Sequence, residues 1–170
     1  NAFDGGSGTK NDPYKIATAE QLALLAKDVN RGVETHTKEY FILTADIDLS
    51  AHVWTPLGYE SYDVGGGSAQ SFMGFFDGNG KKITGLYVDE RGNNRHAGLF
   101  GCIAVTGSDP VIQNLTVDGT VFAGNNTELT YDKYYGAGIL VGTITTLGGS
   151  NVEYGVIKNC NVSGTVSSAM

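Results

Sequence analysis

The sequence predicts a single all-β domain of the β-solenoid type with one α-helix near its N-terminus. Three observations favour this class: glycine is abundant, short segments alternate between apolar and polar residues, and two such segments repeat along the chain. Glycine makes up 25 of the 170 residues, about twice the average share of about 7%, against only 3 prolines. This composition is typical of an ordered chain with many tight corners, and the length fits one domain.

One helix is predicted over about residues 18–31. Thr18 is suited to be its N-cap, and Gln21 completes a capping box. Gly32 is suited to end the helix in a left-handed conformation. Between them, one apolar stripe at helical spacing consists of Leu22, Leu25, Ala26 and Val29. We expect this stripe to cover the open end of the solenoid as a cap.

After the helix the apolar period changes to two. The segment 40–49 predicts one half-buried strand, because alternate residues share a face. Its inward face would consist of Phe41, Leu43, Ala45, Ile47 and Leu49. Asp46 and Asp48 would share the outward face.

The remaining chain repeats short strand segments. Residues 112–121 (IQNLTVDGTV) match residues 157–166 (IKNCNVSGTV) at an offset of 45, and residues 83–88 (ITGLYV) provide a shorter copy. This alignment places Gly85 at the position of Asn114 and Asn159. We interpret that position as a corner where side-chain amides satisfy the backbone of stacked turns, with a polar binding ladder as the alternative.

A second element repeats between these copies. It runs through Gly98, Leu99, Phe100 and Gly101, and residues 139–144 (ILVGTI) echo residues 98–103 (GLFGCI). A single strand of this kind cannot bury its apolar face, whereas stacked copies close a continuous core. A β-solenoid therefore fits best, although a β-sandwich with irregular hairpins also fits a chain of this length.

The order of these motifs resembles bacterial surface proteins that carry the GLUG repeat. The similar segments are 8–16 (GTKNDPYKI), 18–22 (TAEQL), 43–49 (LTADIDL), 54–58 (WTPLG), 75–80 (FFDGNG), 83–86 (ITGL) and 98–101 (GLFG). The echo at 139–142 (ILVG) lacks the first glycine of the motif. The resemblance implies a right-handed parallel β-helix with an N-terminal helix as its cap. It also implies secretion, since such repeats occur in adhesins of gut bacteria and in non-catalytic regions of IgA-cleaving metallopeptidases.

Composition and motifs exclude several functions. With 11 basic and 18 acidic residues the net charge is −7, which argues against nucleic acid, and no stretch approaches the roughly 20 apolar residues of a membrane span. No cofactor motif is present, and the three histidines are scattered.

The segment 77–80 (DGNG) predicts a tight turn rather than a calcium loop. Cys102 and Cys160 are predicted to be free thiols, with Cys160 buried as a small hydrophobe.

The function that these features predict is a secreted module at the cell surface or in the extracellular space, used for adhesion or ligand display. We expect one monomeric, non-catalytic domain over 1–170, with repeats over about 40–166, as part of a longer array. A host glycan or matrix protein would bind the insertion 122–135, with packing of its tyrosines against the flank of the solenoid as an equally suitable alternative. The expected binding residues are Tyr131, Tyr134, Tyr135, Glu128 and Asp132.

Three alternatives remain open at this stage. The chain could be the accessory region of a secreted peptidase, or a structural stalk. It could also be a β-helical polysaccharide-degrading enzyme, with Asp46 and Asp48 as the acid–base pair about 7 Å apart on one strand face.

Overall fold

The computed structural model describes residues 2–32, 36–59, 70–124, 135–146 and 156–168. Over these residues the chain is mostly β-strand with one helix, as the sequence predicts. The elements in chain order are β1 (Tyr14–Ile16), α1 (Ala19–Arg31), β2 (Tyr40–Leu43), β3 (Ile47–Asp48), β4 (Phe75–Asp77), β5 (Lys82–Asp89), β6 (Phe100–Val105), β7 (Ile112–Gln113), β8 (Thr116–Phe122), β9 (Val141–Thr146), β10 (Ile157–Lys158) and β11 (Asn161–Ser167).

The strands form three parallel sheets. The first has the order β1-β2-β4-β7-β10, the second has the order β11-β8-β5-β3, and the third pairs β6 with β9. From β4 onward the chain visits the first, second and third sheets in turn and then begins again, which is β-helix-like. Because the sheets of a sandwich are antiparallel, this parallel pairing contradicts the β-sandwich alternative.

Both repeats predicted from the sequence are confirmed by the strand register. Thr116 lies opposite Asn161 and Val117 opposite Val162, so β8 and β11 pair at the offset of 45. In the third sheet, Cys102 lies opposite Thr143, as the echo between residues 98–103 and 139–144 requires. The repeated segments of this sequence are therefore strands that lie side by side in parallel, each in the circuit of the chain that follows the previous one.

The shorter copy at residues 83–88 was aligned wrongly. Ile83 pairs with Val117 rather than with Ile112, and the register shifts between Ile83 and Leu86. Gly85 lies in this shift with a φ of 67°, so it is the extra residue of a β-bulge and not a corner residue. A side chain there would overlap Ser50, which is why the bulge requires glycine.

The single strand predicted over residues 40–49 is also wrong. The chain forms β2 in the first sheet and β3 in the second, with a corner between them. At this corner Asp46 Oδ1 accepts a hydrogen bond from Lys82 N–H at 2.9 Å. Phe41, Leu43 and Ile47 are nevertheless buried, because the corner keeps the inward face of the chain inward.

The predicted helix is confirmed, including both ends. Thr18 Oγ1 accepts a hydrogen bond from Gln21 N–H, and Gly32 ends the helix with a φ of 64°. Gln21 Oε1 accepts from Ala17 N–H at 2.7 Å, one residue before the partner expected of a capping box. The predicted stripe is buried and belongs to the same hydrophobic core as the strands.

Close backbone contact between turns explains the glycines of the third sheet. A Cβ on Gly101 would overlap the carbonyl oxygen of Gly58 in the turn before. A Cβ on Gly142 would lie 2.7 Å from the carbonyl oxygen of Gly101. Glycine at these positions therefore lets the backbones of three successive turns stack.

The apolar side chains of β11 are exposed, unlike their partners in β8. Val162 and Val166 are 53% and 48% exposed, while Val117 and Val121 are fully buried. Cys160, expected to be buried, is only partly buried for the same reason. Among the described residues, no strand lies on the other side of β10 and β11 to cover these side chains.

Replacing Leu25 by Asp tests the packing of α1. Because Leu25 is fully buried, Leu25→Asp places a charge in the core, and we expect it to lower the free energy of unfolding by about 3–5 kcal/mol. Ala23→Asp, at an exposed position of the same helix, is the matched control and should change stability little. Chemical denaturation measures both, and equal stability of the two variants would contradict packing of α1 into the core.

Thiol titration tests the two cysteines. Burial raises the pKa of both thiols, and Cys102 Sγ lies 3.1 Å from Ser71 Oγ inside the core. We expect Cys102 to be unreactive in the native protein, Cys160 to react slowly, and two thiols to appear on denaturation. Cys160→Ser should abolish the slow native reaction. Finding no thiols after denaturation would reveal a disulfide.

Candidate functional site

The residues predicted to bind a partner lie mostly outside the described part of the chain. Tyr131, Tyr134, Glu128 and Asp132 fall in this group. Tyr135 is described, and its ring makes an edge contact with the His96 ring at 5.5 Å between centroids.

One described end of the insertion 122–135 lies beside one described end of a second, glycine-rich insertion, residues 59–72. His96 N–H donates to Tyr59 O at 3.2 Å, while Gly136 N–H donates to His96 Nδ1 at 2.9 Å. The Arg95 guanidinium stacks over the Tyr59 ring at 4.4 Å. We call Tyr59, Arg95, His96, Tyr135 and Gly136 the loop corner. Sequence reasoning treated the two insertions separately and missed that their ends meet.

His96 is the most strongly perturbed group of the loop corner. It is 1% exposed, and burial lowers its pKa to about 4. Since its Nδ1 accepts the hydrogen bond from Gly136, the folded protein holds the neutral ring with its proton on Nε2. This Nε2 is buried without a hydrogen-bond partner among the described residues. The ring therefore positions the loop ends and resists protonation.

Glu90 is a buried carboxyl close to the loop corner. It is 4% exposed, and burial raises its pKa. Its Oε2 accepts a hydrogen bond from Asn93 Nδ2 at 3.0 Å, and its carbonyl oxygen accepts from Asn93 N–H. These contacts hold the turn before Arg95, so the role of Glu90 is to shape that loop.

The corner between the first and second sheets is held by stacked asparagines. Asn79, Asn114 and Asn159 have φ values of 52°, 55° and 51°. Asn79 Nδ2 donates to Leu43 O, Asn114 Nδ2 to Asp77 Oδ1, and Asn159 Nδ2 to Asn114 Oδ1, at 3.1–3.3 Å. Because these amides bond within the stack, they favour the structural interpretation over a binding ladder.

The carboxylates considered for chemistry also bond to backbone groups. Asp77 Oδ1 accepts from Asn79 N–H in a turn where Asn79 and Gly80 have positive φ, as predicted for residues 77–80. Asp48 Oδ1 accepts from Ser50 N–H, which lowers the pKa of Asp48. A glycosidase needs one carboxyl with a raised pKa, and Asp48, whose pKa is lowered, does not fit that role. In the described part of the chain no group of His, Cys, Asp or Glu is arranged to hold a metal.

A cleft of about 670 Å³ lies between α1 and residues 48–55. Its helix side has three alanines, Ala19, Ala23 and Ala26, and its other side includes Leu49 and Trp54. Asn30 anchors the helix to this side, since its Nδ2 donates to Pro56 O and its Oδ1 accepts from Gly58 N–H. The sequence did not reveal this cleft, because its two sides are about 25 residues apart and meet only in the fold.

The chain is similar in sequence to parts of much longer proteins. No family model matches it. It is 34% identical over 166 residues to a "Putative Gly-rich membrane protein" of Evansella cellulosilytica and 32% identical over 169 residues to "Halomucin" of Haloquadratum walsbyi. It covers 15% and 2% of these relatives' own lengths. A solved "putative immunoglobulin A1 protease" from Bacteroides ovatus has a similar fold, with a TM-score of 0.57 and 21% identity over 97% of this chain and 51% of that one.

The described helix cannot cross a membrane. Its 13 residues fall short of the roughly 20 that a span requires, and it carries charged side chains.

The pH dependence of stability tests the burial of His96. Below pH 6.5 the unfolded chain takes up a proton that the folded chain resists until about pH 4. The stability contribution of His96 should therefore fall between these pH values, by on the order of 2–3 kcal/mol. We expect His96→Asn, whose side-chain oxygen can accept from Gly136, to lose less stability than the wild type over this range.

Denaturation of both proteins at pH 7 and pH 4 measures this difference, so that other titrating groups cancel. His52→Asn, at an exposed position, should follow the wild type. A constant difference between the wild type and His96→Asn would show that His96 titrates normally.

Proposed function

We propose that this chain is a non-catalytic repeat module of a secreted bacterial surface protein, folded as a right-handed parallel β-helix with α1 as its cap. The cyclic order of the three parallel sheets and the offset of 45 between β8 and β11 support the β-helix. The buried stripe of α1 supports the cap. The handedness follows the resemblance to GLUG-repeat proteins.

Membership of the GLUG-repeat family is part of the same proposal. Leu99 and Phe100 of the motif are buried in the core, and Gly101 lies against the turn before it. The motif thus contains the residue types that the third sheet requires. The similarity to a Gly-rich membrane protein and to a halomucin supports a place at the cell surface or outside the cell.

Adhesion or ligand display is the function that the loop corner supports best. The observation that carries this proposal is the meeting of the described ends of both insertions at His96. A rigid stack that presents two neighbouring loops is a common scaffold for recognition. The proposed partner is a host glycan or matrix protein, bound by a monomeric module through Tyr131, Tyr134 and Tyr135 with Glu128 and Asp132.

An accessory region of a secreted peptidase is the second candidate. It is favoured by the fold similarity to the Bacteroides ovatus chain named for such an enzyme. In that case the module would position a catalytic domain located elsewhere in a longer protein. The two candidates differ in whether the isolated module binds a host molecule by itself.

Tyrosine substitution in the insertion tests the adhesion proposal. The variant Tyr131→Ala, Tyr134→Ala, Tyr135→Ala should lose at least about tenfold in affinity for the glycan or matrix protein that the wild type binds, because tyrosine supplies large contact area at small entropic cost. Binding is screened on host glycan and matrix-protein arrays, with thermal melting measured alongside. Tyr87→Ala, at an exposed position of β5, is the control.

Two outcomes would contradict this assignment. Reduced melting temperature with binding intact in the folded fraction would show that the tyrosines are packing residues. No binding by the wild type on either array would favour the accessory or stalk alternatives.

A further inference from the structure

The cleft beside α1 has the size of a ligand site. Its volume of about 670 Å³ lies within the range of about 300–1,000 Å³ that is typical of ligand pockets. It lies beside the stacked strands, with Asp48 of β3 in its lining, and shares only Tyr59 with the loop corner. The structural roles of the corners, the bulge and the turns give this cleft no function.

The floor of the cleft suits an aliphatic side chain. Ala23 is exposed on the helix, and its short side chain leaves space that Leu49 and Trp54 close from below. Val53 is 62% exposed at the rim. An apolar side chain inserted here would remove these surfaces from water.

Two cations lie on the helix side of the same cleft. Lys27 and Arg31 line it at exposed positions, and neither is in an ion pair within the described residues. Arg31 is in the last turn of α1, about 16 Å along the helix from Glu20 in the first turn. Two carboxylates, Glu20 and Asp48, also line the cleft, so the preference for a carboxylate is confined to the end of the cleft beside Lys27 and Arg31.

The aromatic residues of the cleft argue for a peptide rather than a sugar. Trp54 is 6% exposed, and its indole N–H donates to Leu99 O at 2.9 Å, so it has little ring face to offer. One face of the Tyr59 ring is covered by the Arg95 guanidinium. Sugar recognition uses open aromatic faces, whereas an aliphatic side chain needs only the apolar floor.

We propose that this cleft binds an extended peptide segment of a partner protein. An aliphatic side chain of the peptide would lie between Ala23 and Trp54, and a neighbouring Asp or Glu side chain would pair with Lys27 and Arg31. The guanidinium can hold a carboxylate through two hydrogen bonds, which adds geometric selectivity. The inference rests on the proposed function of ligand display and adds a peptide as the class of ligand.

The test is a selection from a random heptapeptide phage library on the immobilised chain. We expect enrichment of sequences with an aliphatic residue beside Asp or Glu. Affinity of the enriched synthetic peptide should fall about tenfold in the double variant Lys27→Gln, Arg31→Gln, and also in Ala23→Met, which fills the floor. Lys158→Gln, at an exposed position outside the cleft, should bind like the wild type.

The outcomes separate this inference from the tyrosine proposal. The variant Tyr131→Ala, Tyr134→Ala, Tyr135→Ala should retain full peptide binding, so failure of the cleft assignment can be distinguished from failure of the tyrosine assignment. No enrichment, or enriched peptides that bind the cleft variants and the wild type equally, would overturn the cleft assignment. Binding of glycans by the wild type that Ala23→Met abolishes would also overturn it, since the ligand would then be a sugar.

Discussion

The structure depends on the parallel stacking of each turn of the chain on the turn before it. A strand as short as β7 or β10 has two residues and buries little by itself, but in register with its neighbours it extends one continuous core. The register also fixes which side chains point inward. Val117 and Val121 are fully buried between turns, whereas their partners Val162 and Val166, which the described residues cover on one side only, stay about half exposed. Burial here is therefore a property of the stack and not of the strand.

Stacking also determines which residues can occupy the corners. The backbone must change direction between the first and second sheets in each turn, and Asn79, Asn114 and Asn159 lie at these corners with positive φ. Their side-chain amides bond to the turn before, which ties neighbouring corners together. The third sheet uses glycine, because a Cβ at these positions would overlap the backbone of the turn before and push the turns apart. These asparagines and glycines of the repeat thus serve to hold the turns together.

Sequence reasoning succeeded where one local pattern decided the structure. The helix and its end at Gly32 follow from local spacing and capping, and the offset of 45 follows from near-identical segments. It failed at residues 40–49, because a corner that preserves the alternation looks like a continuous strand. It failed at Gly85 because a bulge inserts a residue that ungapped alignment cannot show. The cleft and the loop corner were missed because their residues are far apart in the sequence and meet only in the folded chain.

The division between scaffold and surface explains why both candidate sites lie away from the repeated strands. Asp46, Asp48 and Asp77 each accept hydrogen bonds from backbone groups, so these carboxylates are engaged by the fold. The loop corner contains Arg95, and the cleft contains Arg31 and Lys27 beside its own carboxylates; these three cations form no ion pair among the described residues. A stack that engages its own carboxylates and leaves cations at its margin would attract anionic groups there, even though the whole chain is acidic.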